Sequence, residues 1–133
     1  RGSEPYPEWH GEIVEIIPLI KLPMPPKPKR QGTFGVYEAP RNVLKQIPGI
    51  TLQEMERTRE FAYCCGAGGG VKAQFPEFAI NTSKRRIEEA LETETSALVS
   101  CCPFCKTNLQ DGISAMKSNM KFYDLIELVE KAL

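Results

Sequence analysis

Four stretches between residues 40 and 133 repeat their hydrophobic positions every three or four residues, which predicts helices with one apolar face. Three of these stretches begin with proline, which suits the first turn of a helix because no N–H is needed there. In the fourth, Asp124 and Glu127 have the spacing of a capping box. The predicted apolar faces are Val43-Leu44-Ile47 after Pro40, Ile80-Ile87-Leu91 after Pro76, Leu109-Ile113-Met116 after Pro103, and Leu125-Leu128-Val129-Leu133.

Three short hydrophobic runs separate these helices and predict strands. They are Ile50–Met55, Ala97–Ser100 and Met120–Tyr123. Strands that alternate with helices through short loops are typical of an α/β fold, so we predict a short, mostly parallel sheet flanked by helices.

The first part of the chain has a different composition, because seven of its eleven prolines lie in the first 28 residues. Proline lacks an N–H donor and pushes the preceding residue towards extended geometry, which predicts an extended Leu22–Arg30. We interpret residues 1–35 as a proline-rich arm or connector with one ordered piece, Ile13 to Ile20, as either a strand or a short helix. Residues 36–133 are expected to form one domain.

Composition and charge exclude several classes of function. The 17 Lys and Arg residues balance the 17 Asp and Glu residues, which argues against a nucleic-acid-binding protein. No apolar run approaches the ~20 residues of a transmembrane segment. The first residues have no signal-peptide pattern. We therefore expect a cytoplasmic protein with reduced cysteines, and a place at the periphery of a membrane complex stays open.

All five cysteines lie in two clusters, which predicts thiolates converging on one soft metal centre. Cys64 and Cys65 precede a glycine tract whose backbone freedom lets both side chains turn inward. Cys102 and Cys105 are three residues apart at a predicted helix start, so one turn can direct two sulfurs at one site. The helix N-terminus also stabilises thiolate charge. The predicted ligands are Cys64, Cys65, Cys102 and Cys105.

Three other interpretations of these motifs stay open. The tract Gly66–Gly70 suggests a phosphate-binding loop, but the Gly-Lys-Ser/Thr ending of that motif is absent. The segment Cys102–Cys105 has the form of a thioredoxin-like reversible dithiol, although it comes late in the chain. The cysteines can also be inert core residues, which their clustering disfavours.

Three blocks of the sequence resemble the cysteine-rich "CCG" domain family. They are Gly35–Arg41, Cys64–Gly70 and Cys102–Leu109, and 36 residues separate Cys65 from Cys102 as in the family pattern. The domain occurs in the B or D subunit of heterodisulfide reductase, and in iron–sulfur subunits of glycolate, lactate and glycerol-3-phosphate oxidoreductases. The resemblance covers residues 34–133 and implies a small Rossmann-like α/β unit.

The resemblance also implies a cofactor. Complete family motifs hold a non-cubane [4Fe–4S] cluster through five cysteines, and some copies bind zinc. The family's second to fifth cysteines correspond to Cys64, Cys65, Cys102 and Cys105. No cysteine stands in the interval that would carry the family's first one, and Cys101 is additional; we do not expect Cys101 to replace it, because neighbouring strand residues point to opposite faces.

The function implied is an electron-transfer component of a heterodisulfide-reductase-like oxidoreductase that acts at or near a thiol or disulfide substrate. Expected partners are other iron–sulfur subunits or flavin subunits. The sequence contains no flavin or nicotinamide motif, so we do not expect the chain to turn over a substrate alone. The alternative is a zinc-binding structural or subunit-docking domain without its own redox activity.

Charged and aromatic residues flank the predicted site. Surface solvation is the expected role of Arg57, Arg59 and Lys72, with stabilisation of an anionic cluster or attraction of acidic thiol substrates as the alternative. We expect Tyr63 and Phe104 to shield the centre from water by packing.

Overall fold

Two small sheets and five α-helices are present in the residues that the computed structural model describes, which are 10–17, 20–24 and 35–133. The strands are β1 (Glu12–Ile17), β2 (Ile20–Met24), β3 (Ala97–Ser100) and β4 (Lys121–Asp124). The helices are α1 (Glu38–Gln46), α2 (Val71–Gln74), α3 (Pro76–Leu91), α4 (Pro103–Ala115) and α5 (Leu125–Ala132).

The central sheet consists of β3 and β4, which pair in parallel. The register places Ala97 opposite Lys121 and Ser100 opposite Asp124, and α4 forms the connection between the two strands. The predicted α/β fold with a short parallel sheet flanked by helices is therefore confirmed. In the described residues, no helix is long and apolar enough to cross a membrane.

The strand predicted at Ile50–Met55 is wrong, because these residues have no regular secondary structure. Side-chain hydrogen bonds hold the end of this segment instead. Glu54 accepts hydrogen bonds from Arg41 Nη2 at 3.0 Å and from Thr58 Oγ1 at 3.1 Å. A short apolar run is a weak strand signal when polar contacts of this kind compete with sheet pairing.

A β-hairpin precedes the α/β unit. The ordered piece predicted at Ile13 to Ile20, as a strand or a short helix, overlaps strand β1, which pairs antiparallel with β2 through an irregular register after Glu15. The predicted extended stretch Leu22–Arg30 is extended as far as Met24, and its remainder lies outside the described residues. The domain boundary after residue 35 stays a prediction.

The predicted helix starts agree with the structure at α3 and α4, which begin at Pro76 and Pro103. The α1 helix begins two residues before the predicted Pro40. The α5 capping box is also confirmed. Asp124 accepts a hydrogen bond from the backbone N–H of Ile126 at 3.1 Å, and Glu127 accepts one from the N–H of Asp124 at 2.9 Å.

Close packing of α3 against α4 forms the centre of the core. Ile87 is fully buried, whereas Leu91, predicted on the same apolar face, is 41% exposed. The inward face of α3 consists mainly of small residues, which lets α4 approach at Gly112. A Cβ at Gly112 would lie 2.2 Å from Ser83 Oγ and 2.7 Å from Ile87 Cδ1. The buried core residues are Cys65, Ala67, Ile87, Ala90, Leu98, Leu109, Ile113 and Met120.

This contact predicts that Gly112→Ala destabilises the protein although alanine favours helix formation. We expect the free energy of unfolding to fall by about 1–3 kcal/mol, the usual range for an overpacked core. Chemical denaturation of the metal-free protein, followed by circular dichroism, measures this change.

The matched control is Gly68→Ala, since a Cβ at Gly68 meets no described atom within 4 Å. Its free energy of unfolding should stay within about 0.5 kcal/mol of that of the wild-type protein. Equal stability of the two variants would contradict close packing between α3 and α4.

Candidate metal centre

The structure brings the two cysteine clusters into contact across 40 residues of sequence. The Cys105 thiol donates a hydrogen bond to Cys65 Sγ, and the two sulfurs lie 3.0 Å apart. Cys65 is buried with 7% of its surface exposed, and Cys105 is half-buried in the first turn of α4. The described contact does not match the Cys102–Cys105 dithiol interpretation, because the two sulfurs that form a hydrogen bond, those of Cys65 and Cys105, belong to different clusters.

Each of the other two predicted ligands contacts one member of this pair, Cys64 contacting Cys65 and Cys102 contacting Cys105. Cys64 is exposed, and its Sγ accepts a hydrogen bond from the N–H of Gly66 at 3.5 Å. Cys102 is half-buried at the N-cap of α4. Across residues 10–17, 20–24 and 35–133, no three His, Cys, Asp or Glu side chains are arranged to hold a single metal ion. The four thiols are thus linked through the Cys65–Cys105 contact, and no three of them surround one point.

The two central thiols differ in their ionisation, because the pKa of Cys65 is lowered and that of Cys105 is raised. The hydrogen bond from Cys105 stabilises the Cys65 thiolate and, against the opposing effect of burial, lowers the pKa of Cys65 to about 6; Ala67 and Cys64 contribute further hydrogen bonds. The same hydrogen bond raises the pKa of Cys105, as do burial and the neighbouring Cys102. The pair therefore holds one proton near neutral pH, with the negative charge on Cys65.

Cys101 has surroundings that differ from those of the four predicted ligands. It lines a cavity of about 510 Å³ together with Arg41 and Tyr123, and none of the other four cysteines is among the described lining residues. Burial and the Asp124 carboxylate raise the pKa of Cys101. That Cys101 does not take the place of the family's first cysteine stays a prediction.

Gly66 allows the loop that carries Cys65 to approach α3 closely. Its φ of +89° lies in the left-handed region, and a Cβ would lie 2.7 Å from Thr82 Cβ and 2.9 Å from the Ala79 carbonyl oxygen. Glycine is required on both counts. The backbone freedom expected of the glycine tract is therefore needed at this position for a specific contact with α3.

Asn108 ties the two clusters together; it lies in the block Cys102–Leu109, but the sequence assigned it no role. It is fully buried on α4, one turn after Cys105. Its Nδ2 donates hydrogen bonds to the carbonyl oxygens of Cys65 at 2.6 Å and Ala79 at 2.9 Å. The available signal was a polar amide three residues after a predicted ligand, on a helix face that the fold buries.

Lys72 has a specific partner rather than the surface solvation expected from the sequence. Its Nζ donates hydrogen bonds to Asn108 Oδ1 at 2.9 Å and to Asp111 Oδ2 at 2.5 Å. Lys72 and Phe104 also line a cavity of about 550 Å³ with Ala67, Gly68–Gly70, Ala73 and Thr107. A cation therefore stands two hydrogen bonds away from the Cys65 carbonyl.

The flanking arginines have other contacts. The Arg57 guanidinium lies 4.6 Å from the centre of the Tyr63 ring, and Arg59 forms an ion pair with Glu38 at 2.6 Å. Tyr63 is 43% exposed and Phe104 is 68% exposed. The expectation that these two aromatic side chains shield the centre is therefore wrong for the described part of the chain, because both face outward.

Residues 28–110 match the cysteine-rich domain family, CCG. The chain is 54% identical over 99 residues to the D subunit of dihydromethanophenazine:CoB–CoM heterodisulfide reductase of Methanosarcina barkeri, covering 74% of this chain and 24% of that protein. It is 43% identical over 99 residues to the probable iron-sulfur-binding oxidoreductase FadF of Bacillus subtilis, covering 73% and 14%.

A third relative is the B subunit of the fumarate reductase (CoM/CoB) of Methanothermobacter marburgensis, which is 34% identical over 99 residues that cover 74% of this chain and 20% of that protein. No solved structure is significantly similar to the chain. The chain spans a quarter or less of the length of these three relatives. The family match and the 54% identity to the first of these relatives establish that the chain belongs to the cysteine-rich CCG domain family.

Proposed function

We propose that this chain is the cluster-binding domain of an iron–sulfur oxidoreductase, with Cys64, Cys65, Cys102 and Cys105 as the ligands of a [4Fe–4S] cluster. The observation that carries the proposal is the 3.0 Å contact between the Cys65 and Cys105 sulfurs. That contact joins two cysteine clusters that are far apart in the sequence. Four cysteine thiolates are the usual ligand set of such clusters.

The non-cubane form of the cluster belongs to the proposal as well. Its support is the resemblance to family members that hold such a cluster. A single zinc ion needs four sulfurs about 2.3 Å from one point. The described thiols are not arranged in that way. Zinc is therefore the alternative that metal analysis tests.

The residues around the thiols favour a negatively charged centre. Cys65 carries a thiolate near neutral pH, so one ligand is already in the form that binds metal. Asn108 fixes the Cys65 backbone, and Gly66 lets the ligand loop lie against α3. When bound, an iron–sulfur cluster supplies one-electron transfer; the chain supplies ligands, burial and hydrogen bonds that set its potential.

We further propose that the domain works in a heterodisulfide-reductase-like oxidoreductase, beside iron–sulfur or flavin subunits and near a thiol or disulfide substrate. The names of the relatives support this assignment. The open side of the centre supports it too, because Cys64 and Phe104 are exposed and a cavity of about 550 Å³ lies beside Phe104. A partner or a small substrate has direct access from this side.

The ligand assignment predicts that Cys64→Ser abolishes metal binding and leaves most of the helix content intact, because the Cys64 side chain is exposed and not part of the core. Iron and acid-labile sulfide are measured per chain after anaerobic reconstitution, and circular dichroism reports the fold. Electron paramagnetic resonance of the wild-type protein then identifies the cluster type.

Cys101→Ser is the matched control and should retain the metal content of the wild-type protein, since Cys101 lines a cavity that none of the four proposed ligands lines. Unchanged metal in Cys64→Ser would remove the ligand assignment. If the protein is colourless and contains stoichiometric zinc, the site is a structural zinc site and not an electron-transfer centre. If the protein is metal-free and forms a reversible disulfide, its function is dithiol chemistry.

A second prediction concerns pH. In the metal-free, reduced protein, one thiolate should appear with a midpoint near pH 6, as measured by absorbance at 240 nm. Because the pKa of Cys65 in the folded protein lies below the ordinary value of 9.0, its ionisation stabilises the fold, and this stabilisation is lost as the pH falls from 9 to about 6.

Cys105→Ala should return the midpoint towards the ordinary cysteine value, since it removes the hydrogen bond that stabilises the Cys65 thiolate. Cys101→Ser should leave the midpoint unchanged. A wild-type protein in which no thiolate forms below pH 8 would contradict the close Cys65–Cys105 contact.

A further inference from the structure

An ion pair between Lys72 and Asp111 lies next to the buried Asn108. Lys72 in α2 contacts two residues of α4 that are one helical turn apart, Asn108 and Asp111. The Lys72 side chain is 30% exposed and that of Asp111 is 50% exposed, so the cation is the more buried partner. The pair is therefore only partly screened by solvent.

Asn108 connects this ion pair to the metal centre in a fixed orientation. Both hydrogens of its side-chain amide point at carbonyl oxygens, those of Cys65 and Ala79. Its oxygen accepts from the Lys72 ammonium. A flipped amide would place NH2 against an ammonium and oxygen against two carbonyls, so Lys72 and the carbonyls together permit one orientation.

The other cations near the first cysteine cluster have no comparable link among the described contacts. Arg59 pairs with Glu38 at the surface, where the two side chains are 43% and 56% exposed. Arg57 contacts the Tyr63 ring. This difference singles out Lys72 as the cation that the fold couples to a cysteine ligand.

We propose that the Lys72–Asp111 ion pair sets the reduction potential of the centre, with Asn108 as the positioning residue that joins it to Cys65. The inference rests on the proposed function. Reduction adds one negative charge to the centre, so a nearby cation favours the reduced state and a nearby anion disfavours it. Lys72 and Asp111 therefore act in opposite directions.

The test is a redox titration of the anaerobically iron-loaded chain, followed by electron paramagnetic resonance, with iron content measured in the same samples. Lys72→Met should lower the potential, because it removes the cation and leaves Asp111 without its partner. Asp111→Asn should raise it. Each change should alter the ratio of reduced to oxidised centre at a fixed potential by about tenfold, which is about 59 mV for a one-electron couple.

The double variant Lys72→Met/Asp111→Asn should return to a potential near that of the wild type, because it removes both charges. Arg59→Gln, which breaks the exposed pair with Glu38, should leave the potential unchanged. A merely structural role of Lys72 would lower stability or iron content without shifts of opposite sign.

Three results overturn the inference. The first is that the potential shifts with the same sign in both single variants, or in neither, while the iron content is unchanged. This result removes the tuning role but leaves the proposed function standing. A shift in Arg59→Gln as large as that in Lys72→Met removes the specific role of Lys72. Absence of iron from the wild-type chain removes the proposed function and this inference with it.

Discussion

The buried amide of Asn108 is the interaction on which the arrangement of the centre depends. Both of its N–H groups and its oxygen have partners, and these partners come from the ligand loop, α3 and α2. A buried polar group left without a partner costs roughly 1–3 kcal/mol, so the fold strongly favours the one geometry that satisfies the whole amide. That geometry places the Cys65 backbone beside α4, where Cys105 is the first-turn cysteine.

Close steric packing, in addition to the Asn108 amide, holds the ligand loop and α4 against α3. Gly66 and Gly112 lie at two points where a side chain would collide with α3, at Thr82 and Ser83 respectively. The ligand loop and α4 therefore both rest on the same helix at close range. Once they do, the Cys65 and Cys105 sulfurs are 3.0 Å apart, and their shared proton follows from that distance.

The sequence predicts the elements better than it predicts the contacts. Proline at helix starts and apolar periodicity locate α3 and α4, and clustered cysteines locate the proposed ligands. The strand predicted at Ile50–Met55 fails because side-chain bonds to Glu54 compete with sheet pairing. The partners of Asn108 and Lys72 were not predicted for a related reason, since an amide or a lysine acquires its partner only when distant segments pack together.

In the proposed site, Cys64, Cys65, Cys102 and Cys105 surround one metal centre. The most direct measurement is to treat the anaerobically loaded protein with an alkylating reagent and to identify the modified cysteines by mass spectrometry. Cys101 alone should be modified until the metal is removed. Modification of the exposed Cys64 or of Cys102 in the loaded protein, at the rate seen without metal, would contradict it.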